Sequence, residues 1–206
     1  MDTEAKINAI KAWLGTGAIN IFGLPMSGKD TQGIRLAETL NAKFISSGMI
    51  IRDMESKTRQ NYSSEGALIP SNIFYEWVLP YLERPDLFNY PLILSSIGRW
   101  SGEETQVMSV ASGAGHDIKA VIILNISESD VENRFNESKI LDDRGSRADD
   151  KNLEVFRNRL KEFRLKTMPV IQHYKSLGLL IEVNGDQYRD EVFAEIIDKL
   201  YAKALR

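Results

Sequence analysis

The 206-residue chain contains no cysteine. Disulfide scaffolds, thiolate metal sites and cysteine nucleophiles are thereby excluded. The composition is compatible with a reducing compartment, and a cytoplasmic protein is expected. Histidine occurs only at His116 and His173, far apart and without a metal-ligand pattern around them. Both read as structural or surface residues, and no direct metal site is expected. A basic excess is also missing: 26 Lys+Arg face 29 Asp+Glu, a net charge of -3. Duplex-binding domains usually carry such an excess, so no nucleic-acid partner is expected. Any polyanion must be held by local clusters. The longest aliphatic run, Ala120 to Leu124, is far shorter than the roughly 20 residues that span a bilayer. The opening Met1-Asp2-Thr3-Glu4 has neither a basic nor an apolar leader region, so neither a signal peptide nor membrane attachment is expected. No repeat and no low-complexity tract occurs.

What is present suits one globular domain. Hydrophobic residues make up 43% and charged residues 27%, which excludes a mostly disordered chain. The length is enough for one sizeable core and short of two ordinary domains. Short apolar runs at Ala18–Phe22, Lys43–Ile45, Pro91–Leu94, Ile118–Ile126 and Leu179–Val183 read as five strands. Between them, helices are expected over 3–14, 29–40, from Met49, from Pro70-Ser71-Asn72, from Ser101 and over 127–135. A long helix follows from about Asn152, kinked or restarted at Pro169, and a last one spans Glu191–Leu200. Residues 137–151 are polar, carry both signs of charge, and read as an excursion from the core. Strands alternating with helices argue for a five-stranded parallel sheet with helices on both faces, an α/β fold. In such sheets ligands bind beyond the carboxyl ends of the strands. The chemistry is expected after Phe22, Ile45, Leu94 and Ile126.

The first of these ends carries Gly23-Leu-Pro-Met-Ser-Gly28-Lys29-Asp30-Thr31, which fits G-x4-G-K-x-[ST]. Glycines let successive backbone N–H groups point at one phosphate. The helix N-terminus adds favourable dipole charge, and Lys29 reaches a terminal phosphate. The residue after the lysine usually carries a hydroxyl for magnesium, but here it is Asp30, with Thr31 next. A carboxylate there can hold magnesium through water, or repel phosphate where no metal is bound.

Other segments line up in order. Gly23–Gln32 resembles the GxPGxGKGTQ loop of adenylate kinases. Ile45-Ser-Ser-Gly-Met-Ile-Ile-Arg52 resembles their ISTGDxLR, and Gly66-Ala-Leu-Ile-Pro70 their G-x-x-V-P. Leu92-Ile-Leu-Ser-Ser-Ile-Gly-Arg99 is similar to the strand and turn ending DGFPR. Arg147-Ala-Asp149-Asp150 resembles R-x-D-D, Arg159-Leu160 the R-L after it, and Pro169 to Tyr174 the P-V/L-I-x-x-Y. The resemblance is to the adenylate kinase family of nucleoside monophosphate kinases, short-lid type, with a P-loop NTPase fold. It implies ATP and magnesium, an acceptor monophosphate, and a monomer. It also implies two mobile parts, an acceptor-binding insertion over about 47–83 and a lid over about 137–150. By that resemblance Gly23, Met26, Ser27, Gly28, Lys29, Asp30, Thr31 and Arg134 hold the donor nucleotide. Ser47, Arg52 and Arg99 hold the acceptor, and Lys29, Arg134, Arg147 and Arg159 hold the transferring phosphates. The reacting set is Lys29, Arg99, Arg147 and Arg159. The physical logic agrees, since transfer between two nucleotides gathers negative charge that several arginines must converge on. Arg144 is a weaker candidate, and Asp149 and Asp150 could orient lid arginines.

Departures from the pattern are equally visible. Ser95 stands where the family has the aspartate that holds magnesium waters, and Asp30 is a candidate to compensate from the opposite wall. Met49 replaces the aspartate of STGD. Gly98 replaces the proline before Arg99 and is expected to loosen that turn with little effect. The family's adenine-reading glutamine falls on Glu103, which only accepts when ionised and suits an N–H-rich edge such as guanine or uracil. Gln106 takes that role if the turn shifts register. Trp13, Trp77 and Trp100 read as packing residues. AMP is the favoured acceptor. A degenerate chain that binds nucleotide with little transfer is the alternative, motivated by Asp30, Met49 and Ser95.

Overall fold

Five short apolar runs build one parallel sheet. They are β1 (Ala18–Gly23), β2 (Lys43–Ser46), β3 (Leu92–Ser95), β4 (Ile118–Asn125) and β5 (Leu180–Asn184), in the order β2-β3-β1-β4-β5. All neighbouring pairs are parallel. The structure is a computed structural model and describes residues 2–62, 66–141 and 152–206. The five-stranded parallel sheet expected from the apolar runs is present.

Helices cover both faces because successive strand residues face opposite ways. On one face Ile19 and Ile21 pack with Ile10 and Leu14 of α1 (Thr3–Leu14), Leu36 and Leu40 of α2 (Lys29–Leu40), and Ile196 and Leu200 of α9 (Arg189–Ala204). On the other, Ala18 and Phe22 pack with a larger set. That set draws on α3 (Ser47–Thr58), α4 (Ser71–Trp77), α5 (Glu103–Gly113), α6 (Glu128–Leu141), α7 (Leu153–Glu162) and α8 (Met168–Ser176). Phe135 of α6 stacks on Phe156 of α7 with ring centroids 4.3 Å apart. Among the described residues no helix is long and apolar enough to cross a membrane.

This topology creates the crevice. β1 leads through α2 to β2 on one side, while β3 leads through α5 to β4 on the other. The two connections leave adjacent strands over opposite faces, so their carboxyl ends part. Ligands of open parallel sheets bind at such a point.

Three local details refine the sequence expectations. The helix expected from Ser101 begins at Glu103, because Gly102 takes φ 97 and ends the preceding turn. The long C-terminal helix is interrupted by a π-helical turn over Phe163–Thr167, and α8 restarts with Pro169 in its first turn. Proline offers no N–H to the carbonyl four residues back and its ring crowds that carbonyl, so the turn widens. Gly98 holds φ 77. Proline is locked near -65°, so the loop before Arg99 takes a path the family's proline cannot take, rather than a merely looser one.

Candidate active site

The cradle forms where β1 ends and α2 begins. Gly28 takes φ 86 and ψ 9 at the N-cap of α2, and Met26 takes φ 65. Both lie in the left-handed region, which glycine enters freely and methionine only at a cost. A Cβ on Gly23 would lie 2.4 Å from Ser27 Oγ and 3.1 Å from Ser27 Cβ, so the loop folds closely over Gly23. Ser27 Oγ is buried without a partner among the described residues. Lys29 and Asp30 come next, both half-buried, and Thr31 is exposed. Gln32 Nε2 donates to Arg189 O at 2.8 Å, which seats α2 beside the start of α9.

The opposite wall is the end of β3. Ser95 Oγ donates to Asp30 Oδ1 at 2.5 Å. The carboxylate on α2 and the hydroxyl on β3 thus meet across the crevice. Asn20, fully buried in the apolar strand β1, shapes the loop after β3. Its Nδ2 donates to Ile97 O at 2.8 Å, and its Oδ1 accepts from Ile97 N at 3.3 Å. Ser96 sits at φ 53, a left-handed non-glycine residue. The loop 95–99 is therefore held in one path that delivers Arg99.

Beyond Ser95 opens a cavity of about 100 Å³ that is continuous with open solvent. Ser47, Arg52, Ser96, Arg99, Trp100, Glu103 and Arg159 line it, together with Gly66–Ile69 and Phe74. Arg52 Nη1 lies 3.1 Å from where a Cβ on Gly48 would be, so the side chain folds back over the start of α3. Ser47 Oγ is 3.5 Å from Ser95 O. The wall at Gly66–Ile69 is pressed onto α7. A Cβ on Gly66 would lie 2.5 Å from Val155 O, and Leu68 N donates to Glu162 Oε2 at 3.2 Å.

Electrostatics single out Arg99. Its Nε is fully buried and has no hydrogen-bond partner among the described residues. Burial, and then the neighbouring charge of Arg159, pull its pKa below the ordinary guanidinium value to about 10, while Glu103 and Glu162 act the other way. Two cations facing each other with an unused N–H donor form a site for a multiply charged anion. A guanidinium binds phosphate oxygens through paired N–H donors. Any doubly charged oxyanion placed between them removes the repulsion and supplies the missing acceptor.

The predicted residues separate into those the fold gathers and those it does not. Ser47, Arg52, Arg99 and Arg159 converge on the cavity, and Gly23 to Asp30 meet them through Ser95. The stretch from Asp150 to Arg159 is one residue longer than the family pattern, yet Arg159 still lines the cavity. Arg134 instead donates from Nη2 to Gly185 O at 3.0 Å and lies 3.9 Å from Asp186, on the loop after β5. Gln106 is exposed on α5 and does not line the cavity. Glu103 does line the cavity, but both carboxylate oxygens are already bound to protein. Met49 is 57% exposed and borders a separate hollow beside Tyr81 and Arg84. Arg144, Arg147, Asp149 and Asp150, with most of the expected lid, lie outside the described residues. His116 Nδ1 faces Thr16 O and His173 Nδ1 faces Glu104, both at 2.8 Å and both away from the cavity.

Sequence reasoning missed Asn20, Ser96 and Glu162. Asn20 carried a readable signal, a polar residue inside an apolar strand. Glu162 carried none, because only the packing of α7 brings it to Leu68.

A phosphate cradle and an arginine-lined cavity thus share the end of β3, the arrangement two phosphorylated ligands need to meet. The sequence matches the family model described as "Adenylate kinase" over residues 21–179, more than half of the chain. The chain belongs to the adenylate kinase family. The adenylate kinase of Mycobacterium tuberculosis (strain H37Rv) is 32% identical over 186 residues, covering 87% of this chain and 97% of that protein. That of Parvibaculum lavamentivorans is 29% identical over 182 residues, covering 85% and 88%. That of Methanocella arvoryzae is 25% identical over 206 residues, covering 85% and 94%. This adenylate kinase family member is a phosphotransferase of the nucleoside monophosphate kinase class. The relatives give no support to a degenerate, merely nucleotide-holding chain.

Proposed function

We propose that the chain transfers the γ-phosphoryl group of ATP to AMP, releasing two diphosphates. The observation that carries this reading is Arg99: a buried, unpartnered N–H facing Arg159 at the cavity, one strand end away from the cradle. The relatives' name, adenylate kinase, supports AMP as the acceptor.

Transfer is in line and needs no covalent intermediate. The cradle amides and Lys29 hold the donor phosphates, with Met26, Ser27, Gly28, Asp30 and Thr31 beside them. Arg134 of α6, hydrogen-bonded to Gly185 O on the loop after β5, steadies the donor side. Ser47, Arg52 and Arg99 orient the acceptor phosphate. Arg159, with Arg147 from the lid, neutralises charge that spreads over the moving phosphoryl. Closing of the 47–83 insertion and the 137–150 lid excludes water and limits ATP hydrolysis.

The donor set fits magnesium held through water. Asp30 Oδ1 and Ser95 Oγ meet at the mouth of the cradle, both hard oxygen groups. Among the described residues no group of three or more His, Cys, Asp or Glu could ligate a metal directly. When bound, the ion supplies charge neutralisation between the donor phosphates. Asp30, Thr31 and Ser95 are the residues that would hold its waters. The absence of cysteine and of a basic surplus supports a cytoplasmic protein that binds no nucleic acid, and the family resemblance supports a monomer.

A diphosphate-formation assay tests the reading. ATP and magnesium are offered with AMP, GMP, UMP, CMP and dCMP in parallel, and Lys29→Ala serves as the blank. Turnover with AMP that disappears in the blank is the expected result. Turnover with another monophosphate alone would replace AMP, and none with any acceptor would overturn the proposal.

A further inference from the structure

Glu103 occupies the position from which a base-reading side chain would act, yet its carboxylate faces the protein. It is 2% exposed. Oε2 accepts from Arg99 N at 2.7 Å and from Trp100 N at 3.0 Å. Oε1 accepts from Ser71 Oγ at 2.7 Å. Three of the roughly four acceptor positions of a carboxylate are thereby filled. The donors come from two separate parts of the cavity: the loop that carries Arg99, and the first residue of α4 in the 47–83 stretch. The negative charge also offsets the Arg99 guanidinium, which otherwise feels Arg159.

We infer that Glu103 is a positioning residue, which fixes the Arg99 peptide and fastens the α4 wall to it, so that acceptor binding depends on Glu103 through the phosphate and not through the base. The inference rests on the reading of the cavity as the acceptor site. Its chemistry makes a distinct claim for glutamine at this position. A glutamine oxygen accepts the two backbone N–H groups, and its amide donates to the Ser71 hydroxyl, which turns to accept. All three links survive without the charge. Alanine removes all three.

The test measures kcat and KM for AMP, GMP, UMP and CMP, and the KM for ATP, in wild type, Glu103→Gln, Glu103→Ala and Ser71→Ala. Loss of a hydrogen bond to a charged group corresponds to about tenfold. Glu103→Ala is expected to raise the acceptor KM at least about tenfold for every base in parallel, with the ATP KM within about twofold. Glu103→Gln is expected to recover most of that loss. Ser71→Ala, which leaves the Arg99 links intact, is expected to raise the acceptor KM about twofold to threefold with kcat unchanged. A reversed order of acceptors in Glu103→Gln would overturn the inference and restore the base-reading role. So would an unchanged acceptor KM in Glu103→Ala. Should Glu103→Ala fail to fold, as shown by lost ATP binding, the order of acceptors in Glu103→Gln and the Ser71→Ala KM decide alone. Wild-type turnover separates the two claims: none with any monophosphate sinks the acceptor reading itself.

Discussion

Arg99→Lys probes the electrostatics of the cavity directly. The surroundings of Arg99 pull its pKa down from the ordinary guanidinium value to about 10, equivalent to about 3 kcal/mol against the charged form. Burial and the charge of Arg159 cause this, and both act on any cation placed there. A lysine, ordinarily near 10.4, would come to about 8. The variant should bind acceptor phosphate only in its protonated form. Its kcat/KM for the acceptor should be flat from about pH 6.5 to 7.5, then fall about tenfold per pH unit above about 8. Wild type should stay flat to about pH 9.5. Stability gives a second readout. Between about pH 8 and 10.4 the unfolded variant keeps a proton that the folded one has lost, so stability should rise with pH across that window. A variant profile that stays flat to pH 9.5 would refute the claim that burial and Arg159 together disfavour a cation at this position.

Three further outcomes rest on the same geometry. Gly66→Ala places a Cβ 2.5 Å from Val155 O at φ +71, so it should cost at least about 1–2 kcal/mol and raise the acceptor KM while sparing that of ATP, read by urea unfolding and steady-state kinetics. Ser96→Gly relieves a left-handed serine at φ 53, and about 1–2 kcal/mol of strain less 0.5–1 of glycine entropy leaves about 0.5–1 kcal/mol of stabilisation in thermal unfolding. Asp30→Ala should weaken magnesium-dependent ATP binding, and adding Ser95→Asp should restore part of it, since the two side chains meet across the crevice; calorimetry showing no recovery in the double variant would dismiss Asp30 as the compensating carboxylate.

Four residues show where counting along the chain stops being informative. Gly98 looked like a relaxed proline site, but a left-handed φ of 77 shows a backbone path that proline cannot share. Glu103 matched an offset counted along the chain. Offsets locate a side chain on a helix, yet they do not say which donors its oxygens meet. Gln106 lies three residues further along the same helix and remains exposed. Arg134 keeps its place in the order of the arginines, and the fold sets it against the carbonyl of Gly185.

The sequence by itself determined the strand runs, the cradle, the spacing of Arg52, Arg99 and Arg159, and the family they resemble. These features are legible because they rest on local rules: apolar period, glycine at tight turns, and a lysine at a helix start. Tertiary structure alone decided that Asp30 meets Ser95, that Glu162 braces Leu68, and that Glu103 faces Arg99 N and Ser71. Those pairs join segments distant in the chain, except for the four-residue link from Glu103 to Arg99. Whether a carboxylate there meets a ligand or a backbone amide depends on how α4, α5 and α7 pack, which no local period encodes.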